Sequence, residues 1–150
     1  MSATTGYDPA ALRVLLTRQE GNRSVMYTDT TGNKTVGIGH NMSIAQSAFV
    51  IDALYSCDVT GSEKSLDAHL PWWRSLDPVR QAALMDLMFN MGWGSLGTFT
   101  NTLRAFSQGN YDAAANGLLN SLWARQVGHD RSTDLAGMVR TGAMPDWMQS

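Results

Sequence analysis

The feature that most constrains this chain is that its β signal occurs in one place. Val25-Met26-Tyr27-Thr28, the polar stretch Thr30-Thr31-Gly32-Asn33 and then Thr35-Val36-Gly37-Ile38 read as two strands joined by a turn. Glycines at 37 and 39 point to a bend or a close backbone approach. The rest of the 150 residues is left to helices. The fold class expected is α+β, mostly α, with a small N-terminal hairpin lobe (about 21–57) and a larger helical lobe. Two unequal lobes would leave a cleft, and clefts favour ligand sites.

The helices announce themselves by their ends. Asp8-Pro9 reads as an N-cap with proline at the first helical position. Leu12, Leu15 and Leu16 then share a face, and Gly21 supplies a stop. Glu20 therefore falls in the last turn, where the negative end of the helix dipole disfavours a carboxylate. Ser43 with Gln46 resembles a capping box opening a helix towards Leu54, and a second helix is expected from about Asp58 to Leu70, before Pro71. Asp77-Pro78 repeats the cap-plus-proline device and starts an apolar helix, Val79 to Met91, with Gly92 beyond its end. Ala82, Ala83, Leu84, Met85, Leu87, Met88 and Phe89 leave that helix almost no polar face, which marks it as the central buried one. Shorter helices are expected around 101–107, 111–119, 121–126 and 132–140.

Composition removes several classes of function. A net charge of −2 argues against a protein that grips nucleic acid through a broad cationic face. Cys57 is the one cysteine, so no internal disulfide can form, and it reads as a small buried hydrophobe. His40, His69 and His129 are scattered, and no metal site or other cofactor is expected. Met1 to Arg13 lacks a basic region followed by an apolar one, and no apolar run reaches membrane-spanning length. A soluble protein made in the cytoplasm is expected, without stable membrane insertion.

Glycosidic hydrolysis needs one protonated carboxyl to assist the leaving oxygen and one ionised carboxylate opposite it. Glu20, at a helix C-terminus facing an apolar cleft, suits the acid. Asp29 and Thr35, brought together by the hairpin turn, are candidates for the other side. Any chain of this size offers several such combinations, so placement alone leaves them as candidates beside ordinary solvated residues.

The wording of the segment adds to this. Glu20-Gly21, Tyr27-Thr28-Asp29, Gly32 and Thr35-Val36-Gly37-Ile38-Gly39-His40 resemble the signature of the phage T4-type lysozymes, with nine residues from acid to aspartate and six more to threonine. The resemblance continues in order through Asp77-Pro78-Val79-Arg80, Phe89-Asn90-Met91-Gly92, Phe99-Thr100-Asn101-Thr102-Leu103-Arg104, Trp123-Ala124-Arg125-Gln126, Arg131 and Thr141-Gly142. It covers about residues 12 to 147.

The resemblance implies a single lysozyme-like domain with muramidase activity. Glu20 would be the general acid, and Asp29, helped by Thr35, would hold the attacking water, with inversion at the sugar carbon. That chemistry requires a gap of roughly 6.5–9.5 Å between the carboxyls. Phe89 and Thr102 fall where the family lines its sugar cleft, against the plainer readings of core packing and helix capping. Arg131 matches an arginine that approaches the acid, against a plain surface ion pair. His40 is implied to pair structurally with Asp58. Trp72, Trp73, Trp123 and Trp147 read as packing, with Trp93 open between packing and sugar stacking.

Some positions depart from the family. Asp134 stands where a second basic residue is common, Asn41 and Gly117 replace residues that can contact sugar, and the segment from His40 to Asp58 has no room for an extra strand. The partner implied is bacterial peptidoglycan, engaged by a monomer without an appended wall-binding domain. Such a phage or prophage endolysin would gather in the host cytoplasm and reach the wall through a holin or as part of a particle. The alternative is a catalytically weak or inactive peptidoglycan-binding module on the same fold.

Overall fold

The computed structural model describes residue 6 and residues 8–149. The reading of Met1 to Arg13 made from the sequence falls in part on positions 1–5 and 7, which lie outside the described residues. The chain forms two compact units that divide between Asp52 and Ala53.

The first unit opens with helix α1 (Pro9–Glu20). Asp8 caps it: Oδ1 accepts from the N–H of Ala10 at 2.9 Å and of Ala11 at 3.4 Å, beside Pro9 at the first helical position. Gly21 ends it with φ +79°, and its N–H donates to the Thr17 carbonyl. No α1 residue is buried, although Leu12 and Leu16 share a surface pocket with Ile38. Strands β1 (Arg23–Thr28) and β2 (Lys34–Gly37) pair antiparallel, Tyr27 opposite Thr35 and Thr28 opposite Lys34. A two-residue strand β3 (His40–Asn41) adds to the far edge of β2, so the sheet has three strands rather than the two expected. Gly37 (φ +64°) and Gly39 (φ +71°) make that reversal possible, because both adopt backbone angles that a side chain resists.

The stretch 43–47 is not helical, contrary to the capping box expected there. Its polar side chains serve the sheet instead. Ser43 Oγ accepts from the Lys34 N–H at 2.7 Å, and Gln46 Nε2 donates to the Asn41 carbonyl at 2.9 Å. One 22-residue helix, α2 (Ala48–His69), replaces the two helices expected. No proline or glycine stands between Leu54 and Asp58 to break it.

The second unit is a helical bundle. Helix α3 (Pro78–Leu96) is capped by Asp77, whose Oδ1 accepts from the Arg80 N–H. Gly92, with φ +69°, breaks it where the sequence predicts an end. Then come α4 (Thr100–Ser107), α5 (Tyr111–Leu119), α6 (Leu122–Val127) and α7 (His129–Thr141). Helix α5 packs on both α4 and α7. Leu66, Leu84, Leu87, Phe106, Leu118 and Val139 are fully buried, each worth about 1.5–3 kcal/mol of removal from water. Among the described residues no helix is long and apolar enough to cross a membrane.

Three expectations of burial are corrected here. Phe89 is half exposed, so α3 is not buried all round: Ala83, Leu84, Leu87 and Met88 face the core and Phe89 turns away from it. Cys57 is exposed on α2. Trp147 is exposed, its indole N–H donating to Asp134 Oδ2 at 2.9 Å, while Trp73 and Trp123 are buried as read. Trp93 stacks on His69 with ring centroids 4.2 Å apart.

Arg80 ties the ends of the bundle together. Its guanidinium donates to Asp77 Oδ2 at 2.8 Å, to the Val139 carbonyl at 2.7 Å and to the Arg140 carbonyl at 3.1 Å, and it lies 3.6 Å over the Tyr111 ring. Those carbonyls belong to the last turn of α7, where helical partners run out and a cation complements the dipole. Gly142 leaves room for it: a Cβ there would lie 2.7 Å from Arg80 Nη1.

Candidate active site

Glu20, Asp29 and Thr35 all belong to the first unit. Glu20 is the last residue of α1 and its side chain is exposed. It lies against the backbone of Gly39, where a Cβ would stand 3.1 Å from both Glu20 Cγ and Oε2. A side chain at 39 would push the carboxyl aside, so the second glycine of the Gly-Ile-Gly run makes space for the acid.

Asp29 closes the hairpin turn. Its Oδ1 accepts three hydrogen bonds: from the Thr31 N–H at 2.9 Å, the Thr31 hydroxyl at 2.8 Å and the Asn33 N–H at 2.8 Å. Its Oδ2 accepts one longer bond, from Asn33 Nδ2 at 3.2 Å. These donors hold the carboxyl at about 2, well below an ordinary aspartate. The Asn33 N–H contributes most and the Thr31 hydroxyl next. The carboxylate is thus an anion at every physiological pH, with one oxygen saturated and the other largely open.

Thr35 sits opposite Tyr27 in the ladder and is buried, at 3% exposure. Its hydroxyl donates to the Asn33 carbonyl at 3.4 Å. Asn33 therefore touches both hairpin members of the trio. Sequence reading passed over it, although an aspartate followed by Thr31, Gly32 and Asn33 carries the signal of a side-chain-closed turn.

His40 is held by Gln46, its Nε2 lying 2.6 Å from Gln46 Oε1. Gln46 Nε2 donates to two carbonyls, which leaves Oε1 to accept from the ring. The bond seen for His40 is thus structural and made within its own unit, to the Gln46 carboxamide.

In the second unit Phe89 and Arg131 line one pocket of about 370 Å³ with Tyr55, Val59, Met85 and Asp86. Arg131 Nη2 donates to Asp86 Oδ1 at 2.7 Å. Both partners are 41% exposed, so the pair adds at most about 1 kcal/mol of stability. Thr102, on α4, is not among those lining residues. It is buried against Gly117 of α5, where a Cβ would stand 2.2 Å from its Oγ1. The absence of a side chain at 117 leaves that hydroxyl its room.

The family model described as phage lysozyme matches residues 17–142. Among curated proteins, the chain is 25% identical to probable T4-type lysozyme 1 of Dictyostelium discoideum, over 90% of this chain and 96% of that one. It is 24% identical to probable T4-type lysozyme 2 of the same organism, over 92% of this chain and 98% of the relative. It is also 26% identical to the pre-baseplate central spike protein Gp5 of Enterobacteria phage T4, over 89% of this chain but 28% of that longer protein.

Proposed function

Because the chain belongs to the phage lysozyme family, a family of glycoside hydrolases acting on peptidoglycan, we propose that it is an inverting muramidase with Glu20, Asp29 and Thr35 as its catalytic set. The bond cut is the β-1,4 link from N-acetylmuramic acid to N-acetylglucosamine. The observation that carries the reading is the asymmetry of Asp29: three donors on Oδ1, and on Oδ2 one longer bond with lone pairs left over.

In the proposed reaction Glu20 gives its proton to the glycosidic oxygen as the bond from the sugar carbon breaks. A water attacks that carbon from the opposite face and passes a proton to Asp29 Oδ2. An anion held at about 2 is a weak base, so it takes the proton late, once the attacking oxygen has become acidic. Its main work is to orient the water and to stabilise positive charge growing on the sugar. The Thr35 hydroxyl, whose hydrogen faces the Asn33 carbonyl, has lone pairs left to accept a hydrogen bond from the water's other hydrogen, which stays on the product hydroxyl.

Phe89, Thr102 and Arg131 are proposed as glycan contacts, Phe89 through its exposed ring face. The biological role proposed is that of an endolysin, monomeric and dependent on a holin for access to the wall, within one phage-type lysozyme domain.

Digestion of purified peptidoglycan tests the chemistry. Products should carry N-acetylmuramic acid at the reducing end, released as the α anomer. A β anomer would overturn the inverting assignment, and N-acetylglucosamine at the reducing end would overturn the bond assignment. Glu20→Gln should slow digestion by about 10²–10⁴-fold, whereas a wall-binding module would bind equally well with or without the substitution and digest in neither case. Expression with and without a holin tests the lytic role, with lysis expected only in its presence.

A further inference from the structure

Asn33 occupies an unusual place in the hairpin. Its backbone N–H donates to Asp29 Oδ1 at 2.8 Å, and its carbonyl accepts from the Asp29 N–H at 2.9 Å and from the Thr35 hydroxyl at 3.4 Å. Its carboxamide nitrogen donates twice, to Asp29 Oδ2 at 3.2 Å and to Thr31 Oγ1 at 2.8 Å. Thr31 Oγ1 in turn donates to Asp29 Oδ1 at 2.8 Å.

The result is a closed ring of three side chains in which every side-chain hydrogen is assigned. The carboxylate can only accept, so the carboxamide must present its nitrogen to it. The Thr31 hydrogen is spent on Oδ1, so its oxygen accepts the second amide hydrogen. Rotation of the Asp29 carboxylate would break at least two of these bonds together. The basic side chain next in sequence, Lys34, is engaged elsewhere, its Nζ donating to Thr28 Oγ1 at 2.8 Å.

We propose that Asn33 is a positioning residue of the reaction, locking the plane of the Asp29 carboxylate through its carboxamide and coupling Thr35 to it through its carbonyl. The inference rests on Asp29 holding the attacking water, as set out above. Asn33 touches neither glycan nor water in this scheme. It fixes where Oδ2 points, and misplacing an attacking group by about 1 Å costs on the order of 10²-fold in rate.

Three substitutions separate this role from that of a good turn residue. A turn role alone ranks Asn33→Asp with the wild type, since asparagine and aspartate favour such turns alike. The carboxamide lock ranks it worst, because a second carboxylate replaces both donors and faces Asp29. The expected fall in kcat on peptidoglycan is roughly 100-fold for Asn33→Asp and roughly 10-fold for Asn33→Leu and Asn33→Gln, with KM changing less than about threefold. The acid limb of the kcat profile should move up by about one pH unit in Asn33→Leu. Retention of kcat within about twofold in Asn33→Asp, or an unmoved acid limb, overturns the proposal. Circular dichroism identifies a variant that has lost its fold; if Asn33→Leu has, Asn33→Gln takes its place in the profile.

Carbon-detected NMR titration of the Asp29 carboxyl keeps the two readings apart. If the wild type leaves peptidoglycan intact, the hydrolytic reading falls. An upward move of the Asp29 titration in Asn33→Leu then still supports the lock, and an unmoved titration overturns it.

Discussion

The two units are held together in opposite ways. Among the described residues of the first unit Thr35 is the one that is buried, and its order comes from glycines, a cap and a ring of hydrogen bonds around Asp29. The second unit is organised by an apolar core: Leu66, Leu84, Leu87, Phe106, Leu118 and Val139 are sealed from solvent. The catalytic candidates sit in the unit with almost no core. Hydrogen bonds fix direction, which a reaction needs, while burial supplies stability without specifying the angle of a carboxylate. A substitution should therefore strike activity in the first unit and stability in the second.

The largest effect that could break this contrast is at the acid. Glu20→Gln removes a proton donor from an exposed helix end, so turnover should fall by about 10²–10⁴-fold with the thermal midpoint nearly unchanged. A large loss of midpoint would mean that the first unit depends on Glu20 for its fold. Phe106→Ala should do the reverse, costing about 3–5 kcal/mol of unfolding free energy in urea melts, with kcat per folded molecule retained. If kcat fell as far as stability, the division of labour would be wrong.

Gly39→Ala sharpens the comparison. The new methyl would lie 3.1 Å from the Glu20 carboxyl, on a backbone at φ +71°. A loss of about 1–2 kcal/mol is expected, with a fall in kcat larger than stability explains; a purely thermal effect would show that the acid tolerates displacement.

The smallest effect is in pH. Folding lowers the Asp29 carboxyl to about 2 from 3.8, so the unfolded chain takes up the proton first as the solution is acidified. The turn's contribution to stability is full above pH 3.8, declines below it and is gone once pH passes below about 2. The gap in urea midpoint between wild type and Asp29→Asn should close across that window, and a gap constant down to pH 2 would deny the turn its role.

Much of this was legible in the sequence because it depends on neighbours in the chain. Asp8-Pro9, Asp77-Pro78 and Gly92 mark ends by local geometry, and all three do so in the structure. The hairpin that brings Asp29 and Thr35 towards each other follows from its turn residues. What escaped depends on where a side chain finds its partner. Ser43 and Gln46 have the spacing of a cap, yet they bind Lys34, Asn41 and His40. Phe89 matches the core residues of its helix in type and differs from them in direction by a fraction of a turn. Asn33 looked like an ordinary turn residue, because nothing in its identity tells that its two amide hydrogens meet Asp29 and Thr31.

The Arg80 contacts reach across 59 and 60 positions of the chain, to Val139 and Arg140. A chain leaving the ribosome emerges N-terminus first. The turn carrying Asp29 makes its side-chain bonds over four residues or fewer and can form as soon as it is released. The helical bundle must wait for its last turn of α7 before Arg80 finds its acceptors. The Asp29 turn can therefore assemble before the bundle, whose stability is completed only once the last turn of α7 has emerged.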